Sequence, residues 1–244
     1  AVRQSGDAAL LRYARKFDQL SGPVEVTQEE IEEGLRGLDP DLKRALRSAA
    51  ANIRRVARRQ IPRGWRTEVR PGVNIEQVVT PLDRVGCYVP AGRYPLPSSL
   101  LMTAVPARVA GVREVIVTCP HPDATVLAAA AIAGATRLYR LGGAHAVAAL
   151  AYGTATIPKV DKIVGPGNAY VAAAKAQVAA TCPIDFYAGP TEIVIIATGG
   201  NPAWIAADLV AQAEHDPDAR AIVVTPDEGL ANRIATAVPE LLPA

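Results

Sequence analysis

From about residue 112 onward, short β-type runs and helical patterns take turns, and that alternation predicts an α/β fold built on a mostly parallel sheet. Two further observations agree. The first third reads as a helical segment, and the glycine-bearing stretches fall after strand patterns, at the ends where an open parallel sheet gathers ligands. Right-handed crossovers then place helices on both faces of the sheet. With 50% of its 244 residues apolar, the chain has core material for one large domain or two small ones.

The elements follow in order. Ser5 is placed to cap a helix running to about Phe17, and Thr27 with Glu30 forms a capping box for a second helix to about Leu35. A third helix starts at Asp39-Pro40 and stops before Pro62. Residues 67–70, 73–80 and 83–88 read as small hairpin strands split by Pro71-Gly72 and Pro81. A loop rich in Gly, Pro and Ser ends at Ser98 or Ser99, expected to cap a helix over 100–109. Strands are then expected at 112–119, 137–141, 161–164, 184–187, 193–198 and 221–225. Helices are expected at 123–134, 144–152, 168–180, 202–214 and 227–238.

Composition excludes several classes. The apolar runs are broken by Gly, Pro or charge well short of the ~20 residues a membrane span needs, and no signal peptide opens the chain. Cys87, Cys119 and Cys182 form neither an even framework nor a CxxC pair, which points to a reduced, cytoplasmic setting. Between Lys43 and Arg70 ten cations face one acid, Glu68, but they alternate with apolar residues at amphipathic spacing, as a solvated helix face does. Stacking aromatics are missing, so no nucleic-acid partner is expected. The chain opens without Met and stops as another element is starting, which has the look of a segment cut from something longer.

Chemistry concentrates in two stretches. Residues 160–164 are a short apolar strand running into Gly165-Pro166-Gly167-Asn168 and then an alanine-rich helix. A glycine turn at a helix start either cradles a phosphate or carboxylate or merely shapes the turn. No GxGxxG with a downstream acid accompanies it. Near the end of another helix, Gln212 and His215 stand at i and i+3 and share a face. His215 there either caps the helix dipole or, with Gln212, supplies part of a metal site. His145 follows Gly142-Gly143 in a stretch read as a loop that a ligand can reach.

Seven ordered blocks, Val85 to Gly92, Pro97 to Met102, Pro106 to Arg108, Leu141 to Ala144, Val160 to Asn168, Ala188 to Glu192 and Gln212 to His215, together resemble the NAD-dependent, zinc-containing histidinol dehydrogenases. That resemblance implies oxidation of L-histidinol through the aldehyde to L-histidine, two NAD molecules used in turn, and a homodimer. By position it implies Tyr88, His145 and Asn168 on the NAD side, Thr191, Gln212 and His215 toward the substrate, and Gln212 with His215 on zinc. The family usually has Gln where this chain has His145 and Ser where it has Thr191. It also implies two incomplete Rossmann-like domains, one formed by 1–87 plus 193–244 and an NAD-side one by 88–192, with the active site in the cleft between them.

The family's Glu-His pair, its general base, and its remaining Asp and His zinc ligands fall beyond residue 244, so no catalytic residue is assigned here and the chain alone is expected to be inactive. Two other readings stay open. One is a relative that oxidises a different polar alcohol, with His145 the first suspect; the other is a non-catalytic nucleotide-binding or dimerisation module.

Overall fold

A computed structural model describes residues 1–90, 95–186, 192–214 and 219–242. Helix α1 (Val2–Phe17) bends at Gly6, whose φ of 51° and ψ of −132° are non-helical; Ala1, without a side-chain bond, takes the cap position expected of Ser5, which lies inside the helix just before the bend. A two-residue strand, β1 (Glu25–Val26), leads into α2 (Gln28–Gly37), where the Thr27–Glu30 capping box forms as expected. In α3 (Pro40–Gln60), Asp39 accepts the N–H groups of Asp41 and Leu42, and Pro40 occupies the first turn, where its missing N–H costs nothing. Strands β2 (Trp65–Arg70) and β3 (Val73–Gln77) close a hairpin around Pro71-Gly72.

The third expected hairpin strand is something else. β4 (Arg84–Tyr88) leaves the hairpin and becomes an inner strand of the main sheet. The physical reason is visible in its residues: Val85, Cys87 and Tyr88 are buried, as a strand covered on both faces requires, whereas β2 and β3 are exposed throughout. The serine cap is also revised. α4 (Pro97–Val109) begins at Pro97 with Leu96 before it and no side-chain cap, which leaves Ser98 and Ser99 inside the first turn.

The alternating segment follows its expected rhythm as β5 (Glu114–Thr118), α5 (Ala124–Ala133), β6 (Arg137–Tyr139), α6 (Gly143–Tyr152), β7 (Lys162–Val164) and α7 (Ala169–Val178). α5 is bounded by an Asp123 side-chain cap and by Gly134 in the left-handed region. The five-stranded sheet has the order β1-β6-β5-β4-β7, parallel except for β1. The strand expected at 184–187 is reduced to a single parallel bridge between Ile184 and Ile163; residue 187 is outside the described residues.

Helices α2 to α5 cover one face of this sheet, with Ile31, Leu46, Leu101 and Val105 in their core. On the other face, α1, α6 and α7 bury Leu10, Leu150 and Val171 against Ile116 and Ile163. By internal contacts the chain divides into Ala1–Tyr187 and Ala188–Ala244. In the second unit, β8 (Glu192–Ile196) and β9 (Arg220–Val224) pair in parallel, with α8 (Pro202–Ala213) and α9 (Glu228–Glu240) packed through Ala206, Leu230 and Ile234. The alternate face of that two-stranded sheet exposes Val194, Ile196, Ile222 and Val224. No described helix is long and apolar enough to cross a membrane.

Candidate functional site

Strand order decides where a ligand would sit. The chain steps outward from β4 to β5 to β6, then returns to the other side of β4 with β7. Because α4 packs on one face and α7 on the other, the carboxyl ends of β4 and β7 mark the switch point of this sheet, the place where doubly wound sheets take their ligands. Tyr88 ends β4 there and Gly165 follows β7.

Gly165 has φ +116°, and a Cβ added to it would lie 2.1 Å from the Tyr88 carbonyl oxygen, so no other residue fits. A Cβ on Gly167 would meet Val171 at 2.4 Å. Both glycines are thus required by the chain's own packing, and turn-shaping by itself accounts for them. The helix mouth beyond them is open: Asn168, Ala169 and Tyr170 are exposed. Asn168 caps α7 by accepting the Val171 N–H at 3.1 Å, and the remaining first-turn N–H groups point out of the helix end. A glycine turn feeding an open helix N-terminus at a switch point suits an anion such as a pyrophosphate.

A second glycine turn meets the other end of Tyr88. The Gly143 N–H donates to the Tyr88 hydroxyl oxygen at 2.9 Å, so one tyrosine touches both turns, through its phenol and through its carbonyl. Tyr88 is buried, and that burial pushes its pKa up to about 12 against the opposing pull of the Gly143 hydrogen bond; the nearby Asp18 adds to the rise. His145 lies in the first turn of α6 and not in a loop; it is 7% exposed, with Nε2 2.6 Å from Asp18 Oδ2. The same oxygen accepts the Gly142 N–H at 3.0 Å, and the rings of Tyr13 and Phe17 close over the imidazole. His145 is therefore a buried partner of Asp18 and Tyr88 a buried link between the two turns, while Asn168 stands at the exposed mouth of α7.

Three residues of this frame escaped the sequence reading. Asp18 is 127 positions from the histidine it binds, and nothing at the end of a helix signals such a partner. Lys175 and Asp185 form a buried ion pair beneath the Gly165 turn. Lys175 Nζ also donates to the Gly165 carbonyl at 2.9 Å, and Asp185 Oδ2 accepts the Gly165 N–H at 2.7 Å. A signal existed here: Lys175 falls between Val171 and Val178 on the buried stripe of α7, where a cation demands a counter-charge.

Thr191 and His215, expected on the substrate side and on a metal, lie outside the described residues. Gln212 is half-buried in the last turn of α8. Among the described residues, no group of three or more His, Cys, Asp or Glu side chains is arranged to hold a metal ion. The three cysteines are free and buried; burial lifts Cys87 to about 12 and Cys119 to about 11, so both are neutral thiols that pack.

Comparison with known proteins follows the same outline. The histidinol dehydrogenase family model matches residues 1–244. A histidinol dehydrogenase of Burkholderia pseudomallei is 48% identical over 255 residues, covering 99% of this chain and 57% of that protein. One from Methanothermobacter thermautotrophicus is 50% identical over 247 residues, covering 98% of this chain and 58% of its own length. The crystal structure of histidinol dehydrogenase from Elizabethkingia anophelis superposes with a TM-score of 0.92 at 36% identity, over 99% of this chain and 58% of that one. The chain thus spans well under two-thirds of the length of these relatives.

Proposed function

This chain belongs to the histidinol dehydrogenase family, and on that premise we propose that it serves the NAD-dependent oxidation of L-histidinol, through L-histidinaldehyde, to L-histidine, the last steps of histidine biosynthesis. The observation that supports the cofactor side is the exposed α7 N-terminus at Asn168, fed by the Gly165 turn at the β4–β7 switch point, with Tyr88 touching that turn through its carbonyl and Gly143 through its phenol. Asn168 and the outward N–H groups of the α7 first turn would hold the dinucleotide, with Tyr88 and His145 shaping the pocket wall behind them. When bound, NAD accepts the hydride from the carbinol carbon. The contribution of these residues would be orientation: a sterically confined glycine turn and the positive end of the α7 dipole would offer an anion such as the pyrophosphate its place.

Zinc is proposed from the resemblance, with Gln212 and His215 as two of its ligands, where it would orient the amino-alcohol. Thr191 keeps the hydroxyl that the usual serine supplies at the substrate side. The reading also carries a homodimer and the partition of 1–87 with 193–244 against 88–192. Nothing assigns acid–base catalysis to residues 1–244, since the family's Glu-His pair is matched to none of them.

The test is a fluorescence titration of residues 1–244 with NADH beside an assay of histidinol-dependent NAD reduction. NADH binding without turnover is the expected result. Absence of NADH binding overturns the cofactor assignment, and sustained turnover overturns the placement of the acid–base groups outside these residues.

A further inference from the structure

We propose that the Lys175–Asp185 pair is a positioning device for the dinucleotide turn, an inference that rests on the cofactor reading above. Gly165 is where β7 ends, and both of its main-chain polar groups are held by this pair: the N–H by Asp185 Oδ2 at 2.7 Å and the carbonyl by Lys175 Nζ at 2.9 Å. The second carboxylate oxygen of Asp185 bonds Lys175 and accepts the Phe186 N–H at 2.7 Å. Asp185 in turn is fixed by its own N–H, which donates to the Ile163 carbonyl of β7 at 3.1 Å. The pair therefore joins three pieces of chain: the end of β7, the helix α7 and the segment over 183–186.

Its reach goes beyond stability. Gly165 sits in a left-handed conformation against the Tyr88 carbonyl, and three residues on, Asn168 opens the helix that starts at the switch point. Rotation of the Gly165 peptide would redirect the turn and swing the α7 N–H groups off the pyrophosphate they are to meet. Lys175 is wholly buried and aims inward at the turn, so it binds no ligand itself; it acts through Gly165. Packing alone would be served as well by two apolar side chains of similar volume. Pinning both polar groups of one glycine would not.

That distinction sets the experiment. Lys175→Met, Asp185→Asn and the apolar double variant Lys175→Met with Asp185→Leu are compared with the wild type by NADH titration, thermal melting and amide hydrogen exchange at Gly165. The double variant removes the uncompensated charge but leaves the Gly165 N–H and carbonyl without these partners, so it is expected to melt below the wild type but above Lys175→Met, to bind NADH at least about tenfold more weakly and to exchange the Gly165 amide faster by a similar factor. Asp185→Asn keeps an acceptor for the Gly165 N–H and is expected between the wild type and the double variant, which also covers the case in which Lys175→Met does not fold. Wild-type NADH affinity in the double variant overturns the inference while leaving the cofactor reading intact. Failure of the wild type itself to bind NADH instead overturns the cofactor reading, and the positioning role falls with it.

Discussion

The turns after β6 and β7 solve the same problem with different chemistry. Each has a glycine following a strand, a carboxylate from elsewhere in the chain that accepts that glycine's N–H, and a basic side chain from the next helix bound to the carboxylate. At Gly142 the partners are Asp18 and His145; at Gly165 they are Asp185 and Lys175. The difference is in what the base does next. Lys175 returns to bond the glycine carbonyl, so the turn after β7 is gripped on both polar groups, whereas His145 stops at Asp18. The lesson is that the Gly165 turn depends on an ion pair whose lysine is fully buried and the Gly142 turn on a hydrogen bond that an amide side chain can replace.

The largest effect expected from this contrast is on stability. Lys175→Met strands a mostly buried carboxylate and should cost about 4 kcal/mol in urea unfolding, whereas His145→Gln, which can still donate an amide N–H to Asp18, should cost about 1 kcal/mol. Equal losses would break the contrast. Next come the glycines. Gly165→Ala forces a side chain into the left-handed region and onto the Tyr88 carbonyl, for about 3 kcal/mol. Gly142 has φ −131°, and its Cβ would meet Pro120 at 2.9 Å and Asp18 at 3.1 Å, so Gly142→Ala should cost about 1 kcal/mol by the same measurement.

Tyr88, which touches both turns, gives the smallest effect. Tyr88→Phe removes the acceptor for the Gly143 N–H at about 1 kcal/mol near neutral pH. Its pH dependence has a definite sign. Folded Tyr88 holds its proton up to about 12, while an unfolded tyrosine releases it near 10.0. Stability contributed by the buried phenol is complete below pH 10.0 and drains away as pH rises toward 12. Tyr88→Phe should flatten that alkaline decline in thermal midpoint, and an unchanged slope would place the titration elsewhere, with Cys87 and Cys119 as the next groups to test.

Much of this fold was legible because the controlling forces are local. The Thr27–Glu30 box, the helix starts at Asp39, Asp123 and Asn168 and the strand–helix alternation all follow from neighbours within one turn. What escaped was non-local. Whether 84–88 pairs backward into a hairpin or joins an inner parallel position depends on Val115 and Lys162, which oppose Val85 from far along the chain. The helix start at Asn168 was legible from its turn, but the burial of His145 was not, because Asp18 and the rings of Tyr13 and Phe17 arrive from another helix. Lys175 was readable as a cation on an apolar stripe; its partner, Asp185, was not.

The uncovered side of the β8–β9 pair governs how this polypeptide behaves in a tube. Four aliphatic side chains form a water-facing strip there, with Ile196 79% exposed, and a formal net charge of only +2 supplies little mutual repulsion to keep copies apart. Such a strip is a surface on which apolar dyes and other copies can settle, so raising the salt concentration should favour self-association through it.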